Sequence, residues 1–255
     1  MGKIEPLQVE RLADNIFFFP GHANIVALML EQKAVLIDAG RNIHEAKRIR
    51  NTVESNFKTK IKIVILTHFH SDHTHSLPLY SDCEIIASHQ LVKFLIAAKR
   101  KNLKVPSATF EQDYIIKDGN YKVMVKQTGG HTPDSTYVFS PKHKLIMVGD
   151  NLRTDFLWGG KQSNPEDWIS ALQEYVTLDV DYIIPGHGAI MTKDEVHAIA
   201  EYIVELREFM QHLLKEGVKE NEIVSRVNAE KPPTTTQVYI HENTIIKWFK
   251  YWKKR

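Results

Sequence analysis

Residues 67–76 read Thr-His-Phe-His-Ser-Asp-His-Thr-His-Ser, so His68, His70, Asp72 and His73 set four metal-ligating side chains within six positions. Imidazole nitrogen and carboxylate oxygen suit zinc, iron or manganese. The segment follows the apolar run Ile61 to Leu66. A loop leaving such a strand can aim alternate side chains at one point. A catalytic ion usually takes three protein ligands and keeps a position open, so four candidates on one loop demand a second ion or more ligands downstream.

Three downstream sites have the required character. Gly129-Gly130-His131-Thr132-Pro133 puts a histidine in a tight turn, Met147-Val148-Gly149-Asp150-Asn151 ends an apolar run on an aspartate, and Ile183-Ile184-Pro185-Gly186-His187-Gly188 ends another on a histidine. Each candidate sits beside glycine, which permits positive φ and close backbone approach.

The order His68-x-His70-x-Asp72-His73, His131, Asp150, His187 resembles the metallo-β-lactamase superfamily over roughly residues 10–195. Within it the pattern is similar to the glyoxalase II and lactonase branch, since the classical β-lactamases use other ligands. The resemblance implies one ion on His68, His70 and His131, a second on Asp72, His73 and His187, and Asp150 bridging both. A metal-bridging hydroxide would be the nucleophile, and two divalent ions are implied, zinc first with iron or manganese as alternatives. Asp72 and Asp150 are thus the catalytic carboxylates, Asp72 as a candidate for shuttling the proton to the leaving group. The implied fold is α/β, a four-layer αββα sandwich.

Composition agrees. A chain of 255 residues with 43% hydrophobic content can bury a substantial core. Its 33 basic residues nearly balance 31 acidic ones, so no basic field advertises nucleic acid. One cysteine, Cys83, rules out an internal disulfide framework. No apolar run approaches the roughly 20 residues of a membrane span, and the start lacks a signal-like stretch. A cytoplasmic protein with no membrane partner is expected.

Strands are expected over residues 16–19, 25–30, 34–37, 63–66, 84–87, 121–126, 136–140, 144–148 and 182–184, and helices over 43–56, 90–101, 165–178 and 194–215. Asn164 before Pro165 is a capping residue ahead of a proline at the first helical position. Thr192 to Glu195 is a capping box. Residues 1–192 are expected to form the catalytic domain and 193–255 a helical C-terminal appendage, interrupted at Lys231-Pro232-Pro233. Its last segment spaces Ile245, Trp248, Phe249 and Trp252 along one helical face, the pattern of a terminal helix docked by its aromatic side. A dimer contact or part of the substrate wall is the alternative, so a homodimer stays open.

Other residues carry weaker readings. Phe156 and Trp158 are candidates for an apolar substrate wall, and His22 and Asn24 precede a strand and either face the site or serve a turn. His75 suggests a place behind the ligands or in the pocket beside them. Asp38 suggests a buried acid bonding the ligand loops. The function expected is a dinuclear hydrolase of small carboxylic esters or lactones, with phosphoesters as side substrates. Alternatives are a glyoxalase II-like thioester hydrolase, an iron-dependent persulfide or oxygen oxidoreductase of the same fold, and a metal-stabilised binding protein without turnover.

Overall fold

Strands buried on both faces read as continuous apolar runs, and the first half of this chain is full of them. The computed structural model describes residues 6–99, 104–231 and 239–255. The first sheet holds β1 (Glu10–Ala13), β2 (Ile16–Phe19), β3 (Ile25–Met29), β4 (Ala34–Ile37), β5 (Ile61–Ile65), β6 (Glu84–Ser88) and β7 (Ala108–Phe110), in that spatial order. The second runs β13 (Tyr182–Ile184), β11 (Leu145–Met147), β10 (Thr136–Ser140), β9 (Tyr121–Gln127) and β8 (Asp113–Asp118). A two-stranded pair joins β12 (Phe156–Leu157) to β14 (Tyr239–Ile240).

Among the described residues seven α-helices complete the order: α1 (Ile43–Phe57), α2 (Ser71–Thr74), α3 (His89–Ala97), α4 (Pro165–Thr177), α5 (Lys193–Lys215), α6 (Glu220–Glu230) and α7 (Glu242–Lys253). The caps are those expected. Asn164 accepts from the Glu166 and Asp167 amides, and Thr192 and Glu195 satisfy each other's backbone. His89 opens α3 under a Ser88 cap, and the helix ends at Ala97, short of the expected Lys101, where Ala98 and the left-handed Lys99 form a turn; residues 100–101 lie outside the described residues. So does most of the Pro232 break.

Three apolar clusters fill three interfaces, which is what a four-layer αββα sandwich requires. In β2, Ile16 and Phe18 face the second sheet, meeting Val123, Val125, Val138 and Met147, while Phe17 and Phe19 face the α1 side with Ile49 and Val53. The outer face of the second sheet packs through Ile146, Val148 and Ile183 on α4, α5, α6 and α7. The aromatic face of α7 is buried there, with Trp248 5.6 Å from Trp168 in an edge-on arrangement.

Strands that the sequence pattern does not announce lie at margins. β1 and β8 are charged and largely exposed edges, as edge strands must be to resist pairing with other chains. β12 and β14 have two residues each and exist only through each other. The ligand segment also departs from a simple loop, because Ser71–Thr74 form a single helical turn.

Candidate metal centre

Strand direction brings the candidate ligands to one edge. β4 and β5 are parallel, with Ile37 opposite Ile65, so Asp38 and the segment starting at Thr67 leave the first sheet side by side. In the second sheet β9 and β10 are antiparallel and β11 and β13 are parallel. The β9–β10 turn with His131, the end of β11 with Asp150 and the end of β13 with His187 therefore share that edge. Backbone bonds tie the sheets there, among them Thr136 N to Thr67 O at 2.9 Å and Asn24 N to Gly186 O at 2.8 Å.

All seven expected ligands fall into two groups able to hold a metal ion, His68, His70, His131 and Asp150 in one and Asp72, His73 and His187 in the other. In the first, His70 Nδ1 lies 3.0 Å from His68 Nε2 and 3.1 Å from His131 Nε2. A tetrahedral ion with bonds of about 2.0–2.1 Å asks for nitrogens roughly 3.3 Å apart. Asp150 lies between the groups. Its Oδ2 is 3.7 Å from His68 Nε2 and 3.6 Å from His131 Nε2, while Oδ1 is 3.1 Å from His73 Nε2 and 3.2 Å from His187 Nε2. Asp72 Oδ2 approaches His187 Nε2 at 3.4 Å.

The outer hydrogen bonds fix which nitrogens carry lone pairs. A carbonyl only accepts, so His131 Nδ1, 2.7 Å from Trp158 O, carries its hydrogen and leaves Nε2 free to ligate. Asp38 does the same for two more rings. It accepts from the Thr67 amide and hydroxyl at 2.8 Å each and from His73 Nδ1 at 2.7 Å. With its hydrogen committed to Asp38, the Thr67 hydroxyl accepts from His68 Nδ1 at 3.1 Å. Lone pairs of His68, His73 and His131 thus all point inward.

Donor chemistry fits divalent cations. Among the described residues His73 Nε2, His187 Nε2 and Asp150 Oδ1 are buried without a hydrogen-bond partner, and they face one another. Orphaned polar atoms at such a density are costly unless a cation satisfies them. Burial, reinforced by neighbouring imidazoles, lowers the pKa of His68 well below the usual histidine range and that of His70 to about 4. Burial also lowers His131. Burial opposes a charge on His73, yet the facing Asp150 and Asp38 raise its pKa. Asp150 is likewise penalised by burial, but His73 and His68 hold it well below the carboxylate range.

Glycine is required by space here. A Cβ on Gly186 would fall 2.0 Å from Asp150 Oδ1, and one on Gly130, at φ +107°, 2.6 Å from Asn151 Oδ1. Asn151 is a residue the sequence pattern hides behind its neighbour Asp150. It accepts from the His131 amide at 2.8 Å and donates to Gly129 O and Tyr175 Oη at 2.9 Å each. Asn24 clamps the other histidine turn, donating to Pro185 O at 2.9 Å and Gly188 O at 2.8 Å.

The expected substrate residues separate. Trp158 is 37% exposed, with its ring 6.1 Å from those of both His70 and His131. Phe156 instead packs on His241 and under Arg153. His22 stands at the rim, 5.9 Å from the His187 ring and 3.9 Å from Asp72 Oδ2, and accepts from Arg41 at 3.0 Å. His75 must be corrected. The helical turn carries it about 200° round from His73, so His73 is buried and His75 is exposed rather than behind the ligands.

Residues 18–187 match the metallo-beta-lactamase superfamily, and the chain belongs to it. It is 24% identical over 182 residues to metallo-beta-lactamase type 2 of Bacillus cereus, covering 68% of this chain and 71% of that one. It is 25% identical over 255 residues to the beta-lactamase-like protein 2 homolog of Caenorhabditis elegans, covering 92% and 79%. The solved structure of the stereoselective inverting sec-alkylsulfatase Pisa1 from Pseudomonas sp. shares the fold at a TM-score of 0.77 and 13% identity, over 95% of this chain and 49% of that one. The protein is thus a superfamily hydrolase with a His/Asp cluster able to bind metal. No helix among the described residues is long and apolar enough to cross a membrane.

Proposed function

We propose that this chain is a dinuclear hydrolase of carboxylic esters, lactones foremost, with phosphoesters as side substrates. Residues 1–192 would be the catalytic unit and 193–255 an extension packed on it. His68, His70 and His131 hold one cation, Asp72, His73 and His187 hold the other, and Asp150 is shared. The observation that carries the reading is the division of Asp150, one oxygen toward each group. Zinc is the first choice, with iron or manganese next.

Two such cations supply hydroxide near neutral pH, since coordination lowers the pKa of water from 15.7 to about 7, and they polarise a carbonyl oxygen. The chain's own residues do the rest. Asp72, with 21% of its side chain exposed, borders both the ligands and solvent and is the carboxylate able to pass a proton to a leaving group. Trp158 offers an apolar wall beside His70 and His131. On the opposite side His22 opens onto a groove of about 1310 Å³ bordered by Pro20, Asn42, His44, Arg48 and Ile190.

The groove mixes Arg48, His22 and His44 with Glu10 and Glu45, and a thioester hydrolase is the second reading of the same centre. An iron oxidoreductase with one ion has no need of His73 and His187 as a second pair. Metal analysis of purified protein, with a panel of lactone, ester, thioester and phosphoester substrates, tests all three. Two ions per chain with lactone turnover is expected; one iron with oxygen consumption, or full loading with no turnover, would overturn the proposal.

A further inference from the structure

The C-terminal segment reaches the metal centre through one short loop. Thr244, fully buried in the first turn of α7, accepts from the Gly159 amide at 2.7 Å and donates to the Gly159 carbonyl at 3.4 Å. Just before it, the His241 amide donates to Leu157 O at 3.0 Å, and β14 pairs with Phe156 and Leu157. Trp158 lies between these two anchors. Its carbonyl orients His131 at 2.7 Å, and its ring flanks the site. The fit is tight, since a Cβ on Gly159 would meet Ser163 Oγ at 2.5 Å and Thr244 Cγ2 at 3.0 Å.

We propose that Thr244 is a positioning residue for the metal centre: by clamping Gly159 it holds the Trp158 carbonyl that sets the His131 ring, and with it the wall of the substrate site. The inference rests on His131 being a ligand. The Gly159 backbone sits in a dry interior where the hydroxyl is its partner, so removing that hydroxyl drives the loop outward in search of water. A ligand whose outer partner moves binds its ion more weakly. Thr244 lies far from Asp72, His73 and His187 in this chain of contacts, so the second ion is spared.

The test uses the full chain as Thr244→Val, which keeps the shape and loses the hydroxyl, with Thr244→Ser as rescue. Zinc affinity by chelator competition and the visible spectrum of the cobalt-loaded protein are the readouts. Thr244→Val should weaken one ion about tenfold, the low end for loss of an outer partner, and shift the cobalt bands. Thr244→Ser should stay within about twofold of the parent. Thr244→Ala gives the same comparison should the valine variant fail to fold. Wild-type zinc affinity and spectrum in either folded hydroxyl-free variant overturn the proposal, as does a serine variant no better than valine. His131→Ala separates the two levels: if it keeps both ions the ligand reading falls, whereas if it loses one while Thr244→Val loses none, only the role of Thr244 falls.

Discussion

The two ligand groups are braced to different standards. In the first, His68 and His131 have their outer nitrogens tied, and all three ring nitrogens sit about one ion's width apart. In the second, only His73 is anchored, to Asp38, while His187 makes no ring hydrogen bond among the described residues and Asp72 stays partly open to solvent beneath His22. Each group has one partly exposed member, His70 in the first and Asp72 in the second, so the difference lies in bracing, and the less braced second group should hold an ion more weakly.

The contrast breaks most visibly at the residue that both groups share. Asp150→Asn should weaken metal binding more than about 100-fold, beyond the cost of losing an outer partner, and remove turnover while the sandwich stays folded. Metal content and circular dichroism check this. Retention of two tight ions would sink the shared role of Asp150. Asp38→Ala comes next. Because Asp38 reaches His73 directly and His68 through Thr67, both ions should weaken by about 10–100-fold in isothermal titration. An effect on one ion alone would contradict this wiring.

Asp134 tests the dryness of the first group's loop. It is fully buried, and burial, only partly offset by hydrogen bonds from Thr132 and the Phe69 backbone, pushes its pKa up to about 7. The folded state keeps the proton to about 7, whereas an unfolded aspartate releases it near pH 3.9, so the contribution of Asp134 to stability should fall as pH rises from about 4 to about 7 and level off above. Asp134→Asn lacks that slope. It should exceed the parent by about 2–4 kcal/mol at pH 8, with the gain vanishing near pH 4. Denaturant unfolding at the two pH values decides, and an equal gain at both refutes the reading. The smallest effect is expected at the rim: His22→Ala should leave metal content unchanged and raise KM several-fold, and a lost ion would promote His22 to a ligand.

Much of this centre was legible because its residues are chemically unusual and sit at strand ends. Histidines and aspartates beside glycine at the close of apolar runs have few other reasons to be there, and strand direction then does the assembling. Asp38 apart, what escaped were supporting residues whose role is decided by contacts distant in sequence. Asn151 looks like an ordinary polar neighbour until the His131 amide arrives, and Thr244 is an unremarked threonine 85 residues from the glycine it holds. Phe156 and Trp158 are two positions apart in the chain, yet only the tryptophan flanks the ligand histidines, since β12 ends at Leu157 and Trp158 lies beyond its alternation. The exposure of His75 followed from a single helical turn that periodicity over four residues cannot announce.

Asp38 carries one more consequence. A single carboxylate whose oxygens steady a ring on each side makes the occupancy of one cradle felt by the other, and thermodynamic reciprocity requires the influence to be equal in both directions. Loading should then be cooperative, and the binding isotherm of the intact chain should not decompose into two independent steps until Asp38 is replaced.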